Sequence, residues 1–394
     1  MTIAAAVDSR TAEAPARSKA TRITRVDVVR DLAEVEAIWR EFEARQLSTP
    51  YQRFDLLAAW QREIGEHESA DPFIVVAYDA DGRALVLLPL VLRVKHGVRI
   101  ASFMGGKHTT FNMALWDREF ARETTAADLA ALLSGLRAKS LADVLSLTQQ
   151  PRNWQDHLNP FAMFPRQPSA NDCPLLSMVP GDPPENRISS SFRRRMKTKE
   201  RKLQGPGYHY HIANTDADID RLLDWFFQVK PLRMAEQNLP DVFAEHGVAG
   251  FVRKACRAPV PDGGRVIDIH ALECDDEVIA IFAGVADGHR FSMMFNTYTM
   301  SSRSRYSPGL ILMRHIIDHY AERNYRALDL GIGSDEYKRL FCKDDESIFD
   351  SFVPLTTRGR VVAIALSGLN RLKRQVKHNH VLLELAQRLR RAFH

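Results

Sequence analysis

The sequence predicts an α/β protein with a mixed sheet, in which one order of elements is used twice. Both halves of the chain show the same succession of hydrophobic patterns: a hairpin, a third strand, a helix and a further strand. Between the halves, residues 151–186 hold eight of the nineteen prolines. Because proline lacks a backbone N–H and resists regular structure, this stretch is predicted to connect the two halves.

In the first half, two helical patterns precede the strands. The turn Asp79-Ala80-Asp81-Gly82 separates two apolar runs and therefore predicts a hairpin. The predicted elements are, in order, helices over 32–46 and 54–65, hairpin strands over 73–78 and 84–94, a strand near 98–104, a helix over 125–139 and a strand over 143–148.

The second half repeats this order with negligible sequence identity to the first, so the repeat is one of topology. Its hairpin turn is Cys274-Asp275-Asp276-Glu277. The predicted elements are helices over 216–237 and 241–258, hairpin strands over 265–273 and 278–286, a strand over 289–297, a helix over 308–323 and a strand over 326–331. The last helix is expected to pack on the sheet through the apolar residues Leu310, Met313, Ile317 and Tyr320.

These patterns divide the chain into five segments. We expect a disordered tail, a first half, a proline-rich connection, a second half and a basic C-terminal helix, at residues 1–22, 23–150, 151–186, 187–357 and 358–394. The longest apolar run, 84–92, is interrupted by Pro89 and is too short to span a bilayer. Residues 1–6 lack the basic start of a secretory signal, which favours a cytoplasmic location.

Positive charge is concentrated in two places. Residues 187–202 carry eight Lys or Arg and one acid, and residues 358–394 carry nine and one acid, although the whole chain has a formal net charge of only +5. The first segment is either a solvated helix face or a contact for phosphates of a carrier, a lipid-linked sugar or tRNA. The second is amphipathic, so it either covers the sheet or contacts an anionic membrane, peripherally at the inner membrane. Other nucleic-acid binding is not expected, since no aromatic residues are interleaved for base stacking.

The segment Arg305-Tyr306-Ser307-Pro308-Gly309-Leu310 is the most informative motif in the chain. Proline suits the first position of a helix, because its missing N–H is not needed there, and Gly309 would let a ligand approach the free amides. These amides and the helix dipole favour an anion such as a pyrophosphate. We therefore predict that Arg305, Ser307, Gly309 and Leu310 bind the phosphates of an acyl carrier; the alternative is an ordinary helix start.

Three polar residues follow this helix and are candidates for catalysis. Asp329 points away from Leu328 and Leu330 on its strand and is predicted to orient or deprotonate the acceptor. Its alternative role is to cap a helix or to pair with Lys338. Lys338 is a donor suited to a developing oxyanion or a phosphate. Tyr337 is the candidate acid for the leaving group, unless it is simply packed.

A further set of residues is predicted to bind the acceptor. The loop Gly105-Gly106-Lys107-His108-Thr109-Thr110-Phe111-Asn112 lacks the spacing of a P-loop, but it follows the third strand of the first half and is placed to face the second half. His108 and Asn112 from this loop, and Asn296 from the second half, are the predicted acceptor-side residues; the alternative is a purely structural loop.

Neither metal binding nor covalent catalysis is indicated. The four cysteines, at 173, 256, 274 and 342, form no C-x-x-C pair and are expected to be buried as small apolar residues in a reducing compartment. His315 and His319 are four residues apart on a helix but lack a suitably spaced third ligand. Since no cysteine or serine is set up as a nucleophile, direct transfer between donor and acceptor is expected.

Three features together resemble the acetyltransferase 6 branch of the GNAT superfamily, whose members are often described as cellulose-biosynthesis or exopolysaccharide acyltransferases. They are the basic helix Phe192-Arg193-Arg194-Arg195-Met196-Lys197, the loop Arg305-Tyr306-Ser307-Pro308-Gly309, and Leu328-Asp329-Leu330-Gly331 followed by Glu336-Tyr337-Lys338-Arg339. The fold also resembles that of the peptidoglycan-building FemABX aminoacyltransferases, which implies two tandem GNAT-like domains.

This resemblance implies an enzyme that moves an acyl group from acyl-CoA, as co-substrate, to an amine or hydroxyl of an envelope polysaccharide or lipid precursor. No metal is implied. Two alternatives stay open. One is an aminoacyl-tRNA-dependent transferase similar to FemABX, and the other is a non-catalytic factor for polysaccharide assembly.

Overall fold

The computed structural model describes residues 21–183, 188–205, 207–261, 263–333 and 336–379. The predicted tail, apart from its last two residues, and the C-terminal part of the basic helix from residue 380 lie outside this range, as does Arg187. The chain is α/β, as predicted, with helices and mixed sheets both substantial.

Helices within the described range are α1 (Leu32–Arg45), α2 (Phe54–Trp60), α3 (Arg118–Glu123), α4 (Ala126–Lys139), α5 (Ser190–Glu200), α6 (Asp216–Glu236), α7 (Val248–Arg257), α8 (Pro308–Glu322) and α9 (Thr357–His378). A π-helical turn over Gln61–Gly65 extends α2. None of the described helices is long and apolar enough to cross a membrane.

Strands within the described range are β1 (Arg25–Val29), β2 (Asp71–Tyr78), β3 (Ala84–Lys95), β4 (Val98–Phe103), β5 (Leu115–Trp116), β6 (Val144–Pro151), β7 (Asn153–Trp154), β8 (His157–Leu158), β9 (Gln167–Pro168), β10 (Pro174–Ser177), β11 (His209–Ile212), β12 (Asp268–Cys274), β13 (Glu277–Ala286), β14 (Arg290–Tyr298), β15 (Ala327–Asp329), β16 (Asp344–Asp345) and β17 (Ile348–Pro354).

Two large sheets share one plan. The first has the order β1-β2-β3-β4-β6-β17-β9, with β5 paired to β3, and the second has the order β11-β12-β13-β14-β15-β10-β16. In each, antiparallel strands lead to one parallel step, β4 with β6 and β14 with β15. A parallel step needs a crossover, and α4 and α8 supply it. The predicted succession of hairpin, strand, helix and strand is therefore confirmed in both halves.

The two sheets exchange strands in a way the predicted boundaries did not anticipate. β17, assigned to the second half, pairs with β6 of the first sheet, and β10, assigned to the connection, lies between β15 and β16 of the second. Prolines of the connection sit where their missing N–H is tolerated: Pro151 ends β6, Pro160 opens a short 3-10 turn and Pro174 starts β10. The connection therefore joins the sheets and contributes strands to both.

The core follows the sequence patterns. On α8, Met313, Ile317 and Tyr320 are buried, whereas Leu310 is only half-buried at the start of the helix. Phe192 and Met196 of α5 are buried, so this basic helix packs inward through an apolar stripe. All four cysteines are buried and none forms a disulfide, which confirms the expectation that they are buried as small side chains.

Candidate active site

The parallel strands β14 and β15 run side by side over only three residues and then diverge. The pairing covers Arg290–Ser292 against Ala327–Asp329. After Asp329 the chain turns at Gly331, whose φ of 73° lies in the left-handed region that glycine adopts without strain. The divergence opens a cavity of about 280 Å³ between the two halves of the molecule.

This cavity is walled by both halves and is mainly apolar. The first half contributes Lys107–Thr110, and α7 with the loop before it contributes most of the opposite wall. An ion pair between Lys107 and Glu245 links the two walls. The apolar lining residues are Val242, Phe243, Val248, Phe251, Val252, Met293, Met294, Phe295, Leu330 and Ile332.

His108 lies in the cavity wall in a defined orientation. Trp60 Nε1 donates a hydrogen bond of 3.2 Å to His108 Nδ1, and the imidazole makes a T-shaped contact with the ring of Phe251. Burial, followed by the nearby charge of Lys107, lowers the pKa of His108 below its usual value. A neutral imidazole that accepts at Nδ1 carries its proton on Nε2. His108 therefore offers a hydrogen-bond donor to the cavity, and its predicted place on the acceptor side stays a prediction.

Lys338 is buried and also lines the cavity, near the turn after β15. Its Nζ donates to the carbonyl oxygens of Ile332 (2.9 Å) and Gly331 (3.3 Å). The ammonium thereby holds this turn and brings a positive charge to the cavity floor. Its predicted role as a donor for an oxyanion or phosphate stays a prediction.

Asp329 differs from its prediction, because its carboxylate is fully buried and engaged. Oδ2 accepts from Arg290 Nε at 2.8 Å and from the Ser292 hydroxyl, and Oδ1 accepts from the Gly331 N–H at 3.0 Å. The partner is Arg290 rather than Lys338. A carboxylate that accepts all these bonds is poorly placed to take a proton from an acceptor, and the geometry favours a role in fixing the strand divergence.

The Arg290 guanidinium joins the two halves. It also pairs with Glu346, and it lies over the ring of Phe111 (4.6 Å) from the first half and over that of Trp154 (5.0 Å) from the connection. Burial alone would lower the pKa of Arg290, but the charges of Asp329 and Glu346 outweigh it and raise the pKa. Arg290 is thus a permanent cation beneath the cavity.

Tyr337 and Asn296, predicted independently, lie together. Asn296 Nδ2 donates to the Tyr337 hydroxyl at 3.2 Å. Both are half-buried, and neither belongs to the cavity lining. Asn296 belongs to β14 and Tyr337 contacts it from the turn after β15, and the predicted roles of both residues stay predictions.

Asn112 does not point into the cavity, contrary to its prediction. Its Nδ2 donates to Thr148 O at 3.2 Å, and its Oδ1 accepts from Thr109 Oγ1 at 2.9 Å. The side chain is buried and both of its ends are used to hold the loop in place. Asn112 therefore positions Thr109 and its neighbours instead of binding the acceptor.

The corner at the start of α8 forms as predicted, with one difference. Ser307 has a φ of 58°, and its carbonyl oxygen accepts from the N–H groups of Leu310 (3.0 Å) and Ile311 (3.2 Å). The Leu310 amide is therefore not available to a ligand. Among the described residues, no hydrogen bond occupies the Gly309 N–H. The predicted anion site is thus reduced to one backbone donor and the side chains around it.

Two cations surround this corner. Lys199 of α5 donates from Nζ to Ser307 Oγ at 2.7 Å, a link that the sequence patterns did not predict. Arg305 is exposed, with its guanidinium 4.8 Å from the centre of the Tyr306 ring, and has no acidic partner within the described part of the chain. The corner is therefore positively charged and open to solvent.

The corner and the cavity lie along the same strand. A Cβ placed on Gly309 would be 3.7 Å from Tyr298, at the C-terminal end of β14, whereas Met294 of β14 lines the cavity. Four residues of strand separate the two, a distance of about 13 Å. A single extended ligand along β14 can reach both places.

A network of ionic contacts fixes α5 against α8. Arg193 pairs with Asp318 at 2.7 Å, and Glu200 accepts hydrogen bonds from Arg314, His315 and Tyr208. Burial alone would raise the pKa of Glu200, but these donors outweigh burial and lower it to about 2. This clamp places Lys199 at the corner, while the remaining cations of α5 (Arg194, Arg195 and Lys197) face solvent.

One group of potential metal ligands occurs in the described residues, away from the cavity. Donor atoms of His209, His211 and Glu273 lie within 4.8 Å of one another. Glu273, however, accepts two hydrogen bonds from Arg221, at 2.6 Å and 3.3 Å. Because a bound guanidinium opposes a metal cation at the same carboxylate, this group does not form a favourable metal site.

Several residues of the site were missed by sequence reasoning. The missed residues come from segments far apart in the chain: they are Trp60, Arg290, Lys199 and those of α7 in the cavity wall. The only local signals were the basic pattern around Lys199 and the amphipathic pattern of α7, and neither pattern names a partner.

The comparisons with known proteins agree with this architecture. Residues 190–339 match the sequence profile of the acetyltransferase (GNAT) domain family. The second half has a GNAT-like fold. The match spans α5 to the turn that carries Lys338, and so includes the corner and the β14–β15 divergence. The sequence matches none of the curated proteins.

Among the solved structures that are similar over most of the chain, two have a TM-score of 0.52. The C-terminal domain of a putative lysylphosphatidylglycerol synthetase from Agrobacterium fabrum has a TM-score of 0.52 at 12% identity, covering 86% of this chain and 96% of that domain. FemX has a TM-score of 0.52 at 8% identity, covering 83% and 97%. At such low identity these similarities establish a shared fold, and they extend it to both halves of the molecule.

Proposed function

We propose that the protein is a GNAT-type acyltransferase that moves an acyl group from acyl-CoA to an amine or hydroxyl of an envelope polysaccharide or lipid precursor. One observation carries the proposal. A cationic corner and an apolar cavity lie at two places along one strand, β14, about 13 Å apart. Coenzyme A thioesters have their phosphates and their acyl group at opposite ends of an extended arm.

Positive charge would hold the pyrophosphate end of the acyl donor. Lys199, Arg305 and the Gly309 N–H would hold the pyrophosphate, since a helix N-terminus with adjacent cations favours an anion. Beyond Ser292, β14 has no β15 partner within the described residues, so that edge can pair with the amides of the donor arm. Asn296 and Tyr337 would flank the arm where it approaches the cavity.

The cavity favours an apolar acyl group. Ten of its sixteen lining residues are apolar and none is acidic. A positively charged aminoacyl group, such as lysyl, would lose its hydration there without gaining a carboxylate partner. An acyl chain of several carbons would instead exchange water for apolar contacts.

The chemistry is a direct transfer. The acceptor nitrogen or oxygen bonds to the thioester carbon and the C–S bond breaks. The acceptor proton leaves to solvent, and the thiolate gains a proton from an acid that solvent then reprotonates. We assign stabilisation of the developing oxyanion to the His108 Nε2–H and the Lys338 ammonium, and protonation of the thiolate to Tyr337. Asp329 and Arg290 hold the strands that position these groups. In this scheme the second half binds the donor, and the first half supplies His108. We place the enzyme in the cytoplasm, where it acts at the inner membrane.

A second function is favoured by the exposed cations of α5. Arg194, Arg195 and Lys197 face solvent beside the corner helix and could contact the phosphates of an aminoacyl-tRNA. The similarity of fold to FemX fits this alternative. The apolar cavity would then select an apolar aminoacyl group such as alanyl.

Binding measurements separate these functions. Titration calorimetry with CoA, decanoyl-CoA and bulk tRNA is expected to show binding of the two CoA compounds, with decanoyl-CoA the tighter. Arg305→Ala and Lys199→Ala should each weaken CoA binding by about tenfold, as expected for a lost charge-assisted contact. Lys202→Ala, an exposed cation just beyond α5, is the matched control. Binding of tRNA alone would select the second function, and binding of neither ligand would leave only a non-catalytic role.

A further inference from the structure

The outer face of α9 carries apolar side chains that the described part of the molecule leaves uncovered. Val361, Ile364, Leu369 and Leu372 are exposed at 69%, 74%, 49% and 55%. Their spacing of three, five and three residues places them on one stripe of the helix. A single exposed leucine is common on soluble proteins, but four along one helix stripe form a continuous patch.

The opposite face of α9 is the one that packs on the protein. Gly359 and Ala363 are buried there, and a Cβ on Gly359 would meet the carbonyl oxygen of Asp143 at 1.7 Å. Further along, Gln167 donates to Ser367 O at 3.2 Å, and Arg374 donates to Ser169 O at 2.6 Å. The helix is thus fixed against the first sheet, with its apolar stripe directed outward.

Positive charge borders the apolar stripe. Residues 357–379 contain six Lys or Arg and no acid. Arg358, Arg360 and Lys373 are exposed and have no carboxylate partner among the described residues, and Arg371 contacts only the neutral side chain of Gln167. Exposed Arg137 of α4 lies beside the start of α9, with its guanidinium 3.3 Å from Pro354 O.

We propose that this face of α9 lies in the plane of a membrane surface that contains anionic lipids. An apolar stripe flanked by cations is the pattern that inserts at the boundary of headgroups and acyl chains, with the cations at the phosphates. The proposed contact is peripheral, because the opposite face of α9 packs on the protein through Gly359 and Ala363. This inference concerns a surface outside the cavity and stands independently of the proposed acyl transfer.

The charge of α9 disfavours two other partners that could cover its apolar stripe. A second copy of the chain would bring six cations of one α9 against six of another, with no acid on either helix. The chain's own residues 380–394 would add three arginines and one glutamate to the same surface. Like charges around an apolar contact oppose both arrangements, whereas anionic headgroups neutralise the cations.

Vesicle co-sedimentation of the full chain tests the proposal. We expect binding to phosphatidylcholine vesicles that contain phosphatidylglycerol, weak binding to pure phosphatidylcholine, and a decrease as salt is added. A triple variant should weaken binding to the phosphatidylglycerol vesicles on the order of 100-fold, or about fivefold per charge. It combines Arg358→Gln, Arg360→Gln and Lys373→Gln. Combined Ile364→Ser and Leu372→Ser should weaken it by about tenfold or more. Because all five side chains are exposed, the fold should be retained, with circular dichroism as the check.

Leu239→Ser, which removes a 51% exposed leucine elsewhere, is the matched control and should leave vesicle binding unchanged. Equal binding to both vesicle types, or no loss in the α9 variants, would overturn the proposal. Sedimentation velocity without lipid distinguishes the second-copy alternative: a dimer that Ile364→Ser and Leu372→Ser convert to monomer would assign the stripe to a subunit contact. CoA binding should be equal in all these variants, so failure here is separable from failure of the proposed donor site.

Discussion

Arg290 Nε lies 2.8 Å from Asp329 Oδ2, and this pair joins β14 to β15 across their three-residue pairing, which ends at Asp329. Both side chains are more than nine-tenths buried. The pair is therefore a structural clamp at the edge of the cavity, which keeps the divergence in one geometry while the Gly331 turn forms the floor.

Breaking this pair should lower the free energy of unfolding of the protein. Arg290→Ala leaves the Asp329 carboxylate buried without its cation, and we expect a loss of roughly 3–5 kcal/mol in the free energy of unfolding. Arg326→Ala removes an exposed pair with Asp156 and should cost less than about 1 kcal/mol. Urea unfolding of both variants gives the comparison. Asp329→Asn should likewise reduce stability; full stability with complete loss of transfer would restore Asp329 as a catalytic base.

The order of elements was predictable because each depends on local signals. Strand alternation, the two acidic turns and the Pro308 helix start were enough to define the repeat. Sheet partners were not predictable, since the short apolar runs of β10 and β17 pair equally well with any open edge, and only three-dimensional packing selects one.

The same reason explains the errors at individual residues. Asp329 alternates correctly on its strand, but its partner Arg290 lies 39 residues earlier and has no local signature. Asn112 was grouped with His108 because they share a loop, yet the loop uses the Asn112 side chain to hold itself. Sequence spacing locates a candidate loop, whereas burial and hydrogen bonding decide which of its side chains face a ligand.

The Glu200 clamp predicts a pH dependence of stability. The pKa of Glu200 falls to about 2 in the native state, from a usual value of 4.5. Between these two pH values Glu200 is protonated in the unfolded chain and ionised in the native protein. Its contribution to the free energy of unfolding is therefore fully present above about pH 4.5 and is lost as the pH falls toward 2. The excess stability of the native protein over Glu200→Gln should shrink by roughly 2 kcal/mol between about pH 6 and pH 3.

Denaturant unfolding at the two pH values measures this difference. Other acids, including Asp143, whose pKa is also lowered to about 2 by Arg99, titrate in both proteins and cancel in the comparison. Glu41→Gln, at an exposed position, should show no such change. A constant difference between the native protein and Glu200→Gln would mean that the clamp does not depend on the charge of Glu200.

The cavity predicts control of acyl chain length. Val252 is 3% exposed and lines the wall, so Val252→Phe should occupy space that a longer acyl chain needs. We expect kcat/KM for decanoyl-CoA to fall at least about tenfold relative to that for acetyl-CoA, as lost apolar contacts in a pocket usually cost. Val94→Phe, at a 65% exposed site, is the control. An unchanged ratio would place the acyl group outside this cavity.

The bond from Trp60 to His108 allows the proposed donor role to be tested against a merely structural one. His108→Leu removes the Nε2–H and should lower kcat by about 100-fold, the usual cost of losing one oxyanion donor. His108→Gln supplies an amide N–H and should restore part of the rate.

The Trp60→Phe variant keeps the His108 imidazole but removes the hydrogen bond that favours its neutral form with the proton on Nε2. The pKa of His108 should then rise, and the part of the kcat–pH profile that follows protonation of this imidazole should move to higher pH. Trp39→Phe, which removes a tryptophan hydrogen bond to Gln52 O, should leave the profile unchanged. If His108→Leu and His108→Gln lose activity equally and the profile of Trp60→Phe does not move, then His108 serves only to pack the cavity wall, and the oxyanion must be stabilised by Lys338 alone.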